Sequence, residues 1–322
     1  MLLLADFRAG SMRALARAIS FVESGTGGPL IRELFPLAGR AITIGLTGPP
    51  GVGKSTICAA LVRVAREREL SVGVISVDPS SPFSHGALLG DRIRLTEHFT
   101  DADVFIRSMA SRGHLGGLSG ATADAVTLMD AFGKDVVIVE TVGVGQSEIE
   151  IADVADTTVV ALQPGSGDSI QVLKAGILEV ADVFVVNKAD HAMAPQMQRE
   201  IRSMMEMLDF SGWEPALVAT QALEGRGIVA LWDAILEHRR YLEESGTIRD
   251  KRQAAFLRRV RALAAGTLER RIEREMAETS PVAADPYGAA SAVLARMGIE
   301  ETIDRLPSSA VAPGVRSLVK GL

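Results

Sequence analysis

AITIGLTGPPGVGKSTICAALVRVAR, residues 41–66, passes from a β-branched apolar run through a glycine-rich turn into a helical pattern. A strand that enters such a turn and leaves it as a helix opens a βαβ crossover. Working outward, short apolar runs recur at 71–78 (SVGVISVD), 103–108 (DVFIRS), 135–141 (DVVIVET), 157–164 (TTVVALQP), 182–190 (DVFVVNKAD) and 215–220 (PALVAT). Helical stretches separate them. Strands that are apolar throughout are buried on both faces, as in a parallel sheet covered by helices, and the stretches between them suit right-handed crossovers. The pattern predicts an α/β, doubly wound, mainly parallel sheet domain over 40–243.

The flanks read differently. Residues 12–23 (MRALARAISFVE) form an amphipathic helix and a Gly/Pro-rich break follows at 24–30, which makes 1–39 an N-terminal helical extension. Residues 249–278 read as one long helix with an apolar stripe of Leu257, Val260, Ala264, Leu268, Ile272 and Met276, and a shorter helix follows around 287–297. The sheet is already wrapped, so the stripe suits intermolecular packing and 244–322 reads as a dimerisation or partner-binding arm. Packing on its own domain is the alternative.

Of the 322 residues 47% are hydrophobic but only 4% aromatic, so the core is built mostly from Val, Leu, Ile and Ala. A net charge of −6 argues against nucleic acid, whose phosphates need a basic surface. The single cysteine, Cys58, allows no internal disulfide and reads as a small core residue in a reducing compartment. MLLLADFRAG meets Asp6 too early for a leader, and no run approaches the roughly 18 apolar residues of a membrane span. A cytoplasmic chain without membrane contact is expected.

GPPGVGKST at 48–56 matches G-x-x-x-x-G-K-[ST] between strand and helix. Gly48, Gly51 and Gly53 free the backbone, so N–H groups of the run Gly48, Pro49, Pro50, Gly51, Val52, Gly53, Lys54, Ser55 and Thr56 can converge on phosphates at a helix N-terminus. Proline lacks the donor, so Pro49 and Pro50 only shape the loop. Lys54 is expected to reach the β/γ-phosphates and the Ser55 hydroxyl to bind Mg²⁺. At 187–190, NKAD ends a strand. The Asp190 carboxylate can accept from guanine N1–H and the 2-amino group, whereas adenine would leave it facing an acceptor, at a cost upward of ~2 kcal/mol. The Lys188 stem can cover the base, Asn187 can tether neighbouring loops, and Gln221, Ala222 and Leu223 follow the next strand where backbone N–H groups can meet guanine O6.

Asp78 (VDPSSP) and Glu140 (ETVGVGQSE) end strands at the carboxyl edge, where open α/β sheets bind ligands, and suit Mg²⁺ with Ser55. Asp78–Pro79 can also be read as a turn initiator. Gly143 can donate its N–H to a γ-phosphate and move on hydrolysis. With Lys54, these make up the catalytic set. Arg92, Arg94 and Arg107 are read either as transition-state cations or as surface or ion-paired arginines. The five histidines, among them His114, are scattered without metal-site spacing, which argues against zinc or nickel.

The pieces RAISFVE, GLTGPPGVGKST, VDPSSP, GALLGDRIR, HLGGLSGAT, ETVGVGQSE, GDSIQVLKAGILEVAD and VVNKAD, in order over about 14–243, together resemble the MeaB/ArgK-type G-protein chaperones of adenosylcobalamin-dependent acyl-CoA mutases. That family includes the methylmalonic aciduria type A protein. The resemblance implies a P-loop NTPase (G domain) fold with helical extensions. It also implies Mg²⁺-dependent GTP hydrolysis to GDP, and a role gating cobalamin loading into a B12-dependent mutase without binding cobalamin itself. It implies a homodimer, and a segment from Pro164 to Lys174 that couples nucleotide state to the partner. The sequence departs from the family's pattern at Gln221, where Ser is usual, in IRSMASRGH, where a Pro-containing loop is usual, and in VDPSSPFSHGALLG. The alternatives are a P-loop kinase, which NKAD opposes, and a nickel-delivery GTPase, which would need Cys or His ligands near the switch loops.

Overall fold

The computed structural model describes residues 2–79, 98, 100–111, 120–141, 147–165, 177–208, 210, 212–279 and 285–299. Arg92, Arg94, His114, Gly143 and the segment 166–174 lie outside the described residues. The chain divides into two compact units, Met1–Phe256 and Leu257–Leu322.

The seven apolar runs become seven strands: β1 (Ile42–Thr47), β2 (Val72–Pro79), β3 (Val104–Ser111), β4 (Val136–Thr141), β5 (Thr157–Leu162), β6 (Val183–Asn187) and β7 (Ala216–Thr220). They form one sheet in the order β3-β2-β4-β1-β5-β6-β7, and every pairing is parallel. Alternate side chains serve opposite faces, as the period of a strand requires. Ile44, Leu46, Val136, Ile138, Val159 and Val185 share one core with α4 (Lys54–Arg66) and α8 (Ile228–Glu244), through residues such as Leu61, Trp232 and Ile235. On the other face Ile75, Val137 and Val139 meet α2 (Met12–Glu23) and α5 (Gly120–Phe132), through Leu15, Ile19 and Leu128. The single-turn α6 (Ser147–Glu150) follows β4, and Val160, Leu162 and Phe184 meet α7 (Ala194–Met205) through Met197 and Ile201. At roughly 1.5–3 kcal/mol for each large apolar side chain buried, this two-sided packing is the main term holding the sheet together.

The N-terminal helices α1 (Leu2–Arg8), α2 and α3 (Gly28–Leu34) belong to the second of these cores, with Phe7, Leu15, Ile19 and Leu34 buried. Ser11 caps α2 by accepting from Ala14 N–H at 3.3 Å. Arg107, on edge strand β3, is ion-paired with Glu23 of α2 and donates to Ser20 Oγ at 3.1 Å. Of its two sequence readings, the ion-paired one holds and the transition-state one falls, because both acceptors hold its guanidinium on α2. The Asp130 carboxylate of α5 accepts from the N–H groups of Gly39 (2.6 Å), Arg40 (3.1 Å) and Ala41 (3.1 Å), setting the path of the chain into β1.

At the amino edge of the sheet Asp156 is buried and accepts from Arg239 (2.6 Å) and from two nitrogens of Arg252 (2.9 and 2.7 Å). Burial pushes this carboxyl up, but the hydrogen bonds and charges of the two arginines outweigh it and leave it below its ordinary value. Arg252 lies in the first turns of α9 (Thr247–Thr279), within the first unit. In the second unit, Arg271 of α9 donates to Met297 O at 3.4 Å, just past α10 (Pro286–Arg296), and Glu275 pairs with Arg296 at 3.7 Å. On α9, Leu257 (56%), Val260 (46%), Leu268 (47%) and Met276 (50%) are exposed, as is Ala264, so five positions of the predicted stripe face solvent in the single chain. No described helix is long and apolar enough to cross a membrane.

Candidate functional site

The sequence-selected residues of the described chain stand at the carboxyl ends of β1, β2, β4, β6 and β7. β1 lies between β4 and β5, and the sheet order runs away from it on both sides. Such a reversal opens a crevice above the strand ends, the usual ligand position in open α/β sheets.

The loop from Gly48 to Gly53 bridges β1 and α4. Gly48 has φ +135°, and a Cβ there would sit 2.0 Å from Ala161 O of β5, so only glycine lets the loop cross so close to the neighbouring strand. Gly53 has φ +93°, and a Cβ there would sit 2.6 Å from Asn187 Nδ2. As the N-cap of α4, Gly53 brings no side chain that competes for the helix's first N–H groups. Pro49 and Val52 are buried, whereas Pro50 and Gly51 are exposed. Lys54 is buried and donates to Gly48 O (2.6 Å) and Pro49 O (3.0 Å), which holds its ammonium inside the loop. Thr56, half-buried, follows in the first turn of α4.

The Ser55 hydroxyl donates to Glu140 Oε1 at 2.6 Å, and both residues are buried. Glu140 reaches this point because its register partner on β1 is Leu46, just below the loop. One residue on, the Thr141 hydroxyl donates to Thr47 at 3.0 Å. Two hard oxygen groups thus stand together beside the first turn of α4. Asp78 is placed by its backbone on β2, opposite Ala110 of β3. Asp78 and Pro79 are the last two residues of the strand, and the residues that would complete a turn after them lie outside the described residues. Cys58 is fully buried, and burial first, then the Glu140 charge, raises its thiol well above the ordinary value, which makes it an inert core residue.

Asn187, at the end of β6 and 3% exposed, makes three hydrogen bonds. Its amide donates to Val52 O (2.8 Å), and its carbonyl oxygen accepts from Thr220 Oγ1 (3.1 Å) and Ala222 N–H (3.1 Å). One side chain therefore joins the glycine-rich loop to the segment after β7. Lys188 adopts φ +55°, a left-handed conformation, and its ammonium donates to Gly51 O at 3.0 Å and to Gln163 Oε1. Ala189 N–H donates to Thr220 O at 3.0 Å, and Asp190 is exposed at the mouth. Gln221 N–H donates to Arg226 O at 3.0 Å, Ala222 is buried and Leu223 is 90% exposed. Gln163 and Thr220 escaped the sequence reading. Gln163's signal is its position straight after the strand lying between the two motif-bearing strands.

Two motif-bearing loops, a hydroxyl–carboxylate pair and their tethers form one crevice suited to a nucleoside phosphate. The family described as Methylmalonyl Co-A mutase-associated GTPase MeaB matches residues 15–277 of the chain. The chain belongs to the MeaB family of P-loop GTPases. A Pyrococcus horikoshii relative, assigned by name to the GTPases, is 44% identical over 308 residues, covering 92% of this chain and 97% of its own. The GTPase ArgK of Escherichia coli is 38% identical over 257 residues, covering 76% of this chain and 78% of its own. Among solved structures, one described as a LAO/AO transport system kinase matches with TM-score 0.67 at 28% identity, covering 92% of this chain and 96% of that one. The MeaB match runs from α2 into the last turn of α9, so it takes in the whole crevice.

Proposed function

We propose that this MeaB-family GTPase is a chaperone that gates adenosylcobalamin loading into a B12-dependent acyl-CoA mutase and protects or reactivates the loaded enzyme. In this reading residues 48–56 hold the phosphates of GTP or GDP, with Lys54 on the β/γ-phosphates. Asp190 reads the guanine edge, Lys188 covers the base, and Gln221, Ala222 and Leu223 border it. Ser55 and Glu140, 2.6 Å apart and buried, are oxygen donors of the kind Mg²⁺ takes and would hold it together with Asp78. When bound, the ion supplies positive charge that offsets the charge on the phosphate oxygens. The chain's own contribution is positioning. Lys54 brings a fixed cation to the phosphates, and the α4 N-terminus brings aligned N–H dipoles. Gly143 is assigned the γ-phosphate contact that changes on hydrolysis. The cobalamin stays with the client enzyme, and the exposed α9 stripe serves a homodimer or the client in the cytoplasm.

The observation that carries the reading is the Asn187 tether, which hydrogen-bonds the glycine-rich loop to the segment after β7. The family's description, which associates it with methylmalonyl-CoA mutase, supports this choice of client class. To test it, the immobilised chain is loaded with a non-hydrolysable GTP analogue or with GDP and offered an adenosylcobalamin-dependent acyl-CoA mutase. Retention that depends on the nucleotide, with cofactor transfer to the mutase altered by GTP, is expected. No retention in either state and no effect on transfer refute it. Asp190→Asn is expected to weaken GTP binding and to relax selectivity toward xanthine nucleotides, whose 2-position carries an acceptor. Unchanged GTP affinity removes Asp190 as the base reader.

A second reading, a P-loop kinase, is favoured by one observation, the description of the solved relative at 28% identity. Following the γ-phosphate separates the two. Release as inorganic phosphate supports the GTPase chaperone, and transfer to a metabolite or protein hydroxyl supports the kinase.

A further inference from the structure

β5 ends at Leu162, whose register partner on β6 is Val186, while Val160 two residues earlier pairs with Thr47 of β1. The first residue past β5 therefore emerges between the phosphate loop and the NKAD segment. That residue is Gln163, half-buried. Its Oε1 accepts a hydrogen bond from the Lys188 ammonium, which also donates to Gly51 O at 3.0 Å. Lys188 thus spans two acceptors, one on the phosphate loop and one on the β5 exit. Hydrogen bonds from a charged donor are about twice as strong as neutral ones. A lysine side chain that is left free carries up to ~2 kcal/mol of rotamer entropy, which two acceptors remove before any ligand arrives. The left-handed backbone of Lys188 adds a strain that the surrounding contacts must hold.

We propose that Gln163 is a positioning residue for guanine-nucleotide retention. It orients the Lys188 stem against the base and, through Lys188, braces Gly51 of the phosphate loop. This rests on the reading of Lys188 as a wall of the base pocket. The reacting phosphates meet Lys54 and Ser55 instead, so Gln163 sets how long nucleotide stays and leaves the bond-breaking step alone.

The test uses the full chain and a fluorescent GDP analogue with Mg²⁺. Gln163→Leu and Gln163→Ala remove the acceptor, and Gln163→Glu keeps it. Both removals are expected to speed GDP dissociation about tenfold and raise the KM for GTP to match. The single-turnover hydrolysis rate at saturation should stay within threefold of the parent, and Gln163→Glu should dissociate at close to the parent rate. A purely structural role would lower the urea midpoint and hydrolysis together and would not be rescued by Glu. The proposal falls if dissociation speeds up less than threefold in whichever removal variant folds, or if hydrolysis slows more than threefold. It falls equally if Gln163→Glu dissociates as fast as Gln163→Ala. Absence of guanine-selective binding in the parent chain is a different result, since it defeats the base-pocket reading itself.

Discussion

Replacing Asn187 by Ala removes both ends of the tether that joins the crevice. The side chain is 3% exposed, and three partners depend on it: Val52 O, the Thr220 hydroxyl and Ala222 N–H. The Thr220 hydroxyl can rotate to a new acceptor, but the two backbone groups cannot. A buried polar group left unpaired costs about 1–3 kcal/mol, so the two together predict a loss of about 2–6 kcal/mol. Domains are stable by only about 5–15 kcal/mol, so urea unfolding should register the change clearly. Asn187→Asp is the sharper perturbation. It has the same shape and keeps the oxygen that accepts from Thr220 and Ala222, yet it turns a carboxylate oxygen toward Val52 O where an N–H donor stood. Only the link to the phosphate loop is reversed. A fluorescent-GDP titration should then show Kd raised at least tenfold, which is about 1.4 kcal/mol. GDP binding by Asn187→Asp within twofold of the parent refutes a role for the tether in holding nucleotide. A stability loss below about 1 kcal/mol in Asn187→Ala would likewise show that the three bonds are readily replaced.

Three other outcomes follow from the geometry. Gly53→Ala places a Cβ 2.6 Å from Asn187 Nδ2 at φ +93°, where an L-residue pays roughly 1–2 kcal/mol. Nucleotide affinity should fall at least tenfold, and an unchanged Kd would contradict the close approach. His238 is buried between Thr157 Oγ1 (2.9 Å) and Asp182 (3.3 Å); burial lowers its pKa from 6.5 to about 4, with Asp182 opposing and Lys251 assisting. The folded state refuses a proton that the unfolded chain accepts, so its contribution is intact above pH 6.5 and is lost as pH falls toward 4, by roughly 2–3 kcal/mol. Urea midpoints measured across that window should fall in the parent and flatten in His238→Gln; equal slopes refute the assignment. Arg252→Ala strips two hydrogen bonds from the buried Asp156 carboxylate and leaves Arg239 as its remaining arginine. A cost of roughly 2–4 kcal/mol in urea unfolding is expected, and a change under about 0.5 kcal/mol would show that Asp156 does not need the α9 root.

Much of the fold and site was legible without coordinates, and for a common reason. Runs such as DVVIVE and DVFVVN carry no polar face, which leaves a doubly covered parallel sheet as their only comfortable place. GPPGVGKST is legible because its glycines answer a local backbone demand, and the φ of Gly48 and Gly53 bears this out. The helix over 12–23 was likewise plain from its periodicity and runs as Met12–Glu23. The less legible features join distant parts of the chain. Arg107 had two equal readings until α2 was seen to supply Glu23, 84 residues away.

The sequence alone determined the strand–loop–helix units, the parallel sheet, the two nucleotide-type motifs and the long amphipathic α9. Each is encoded by neighbours within a few residues, through periodicity, glycine freedom and strand-end chemistry. Only the tertiary structure decided which side chains join those units. It set Ser55 against Glu140, hung Val52 and Ala222 on Asn187, put Gln163 under the Lys188 ammonium and gave Asp156 its two arginines. Those partners lie 25 to 135 residues apart in the chain. Their meeting depends on strand order and register, which no local pattern of residues records.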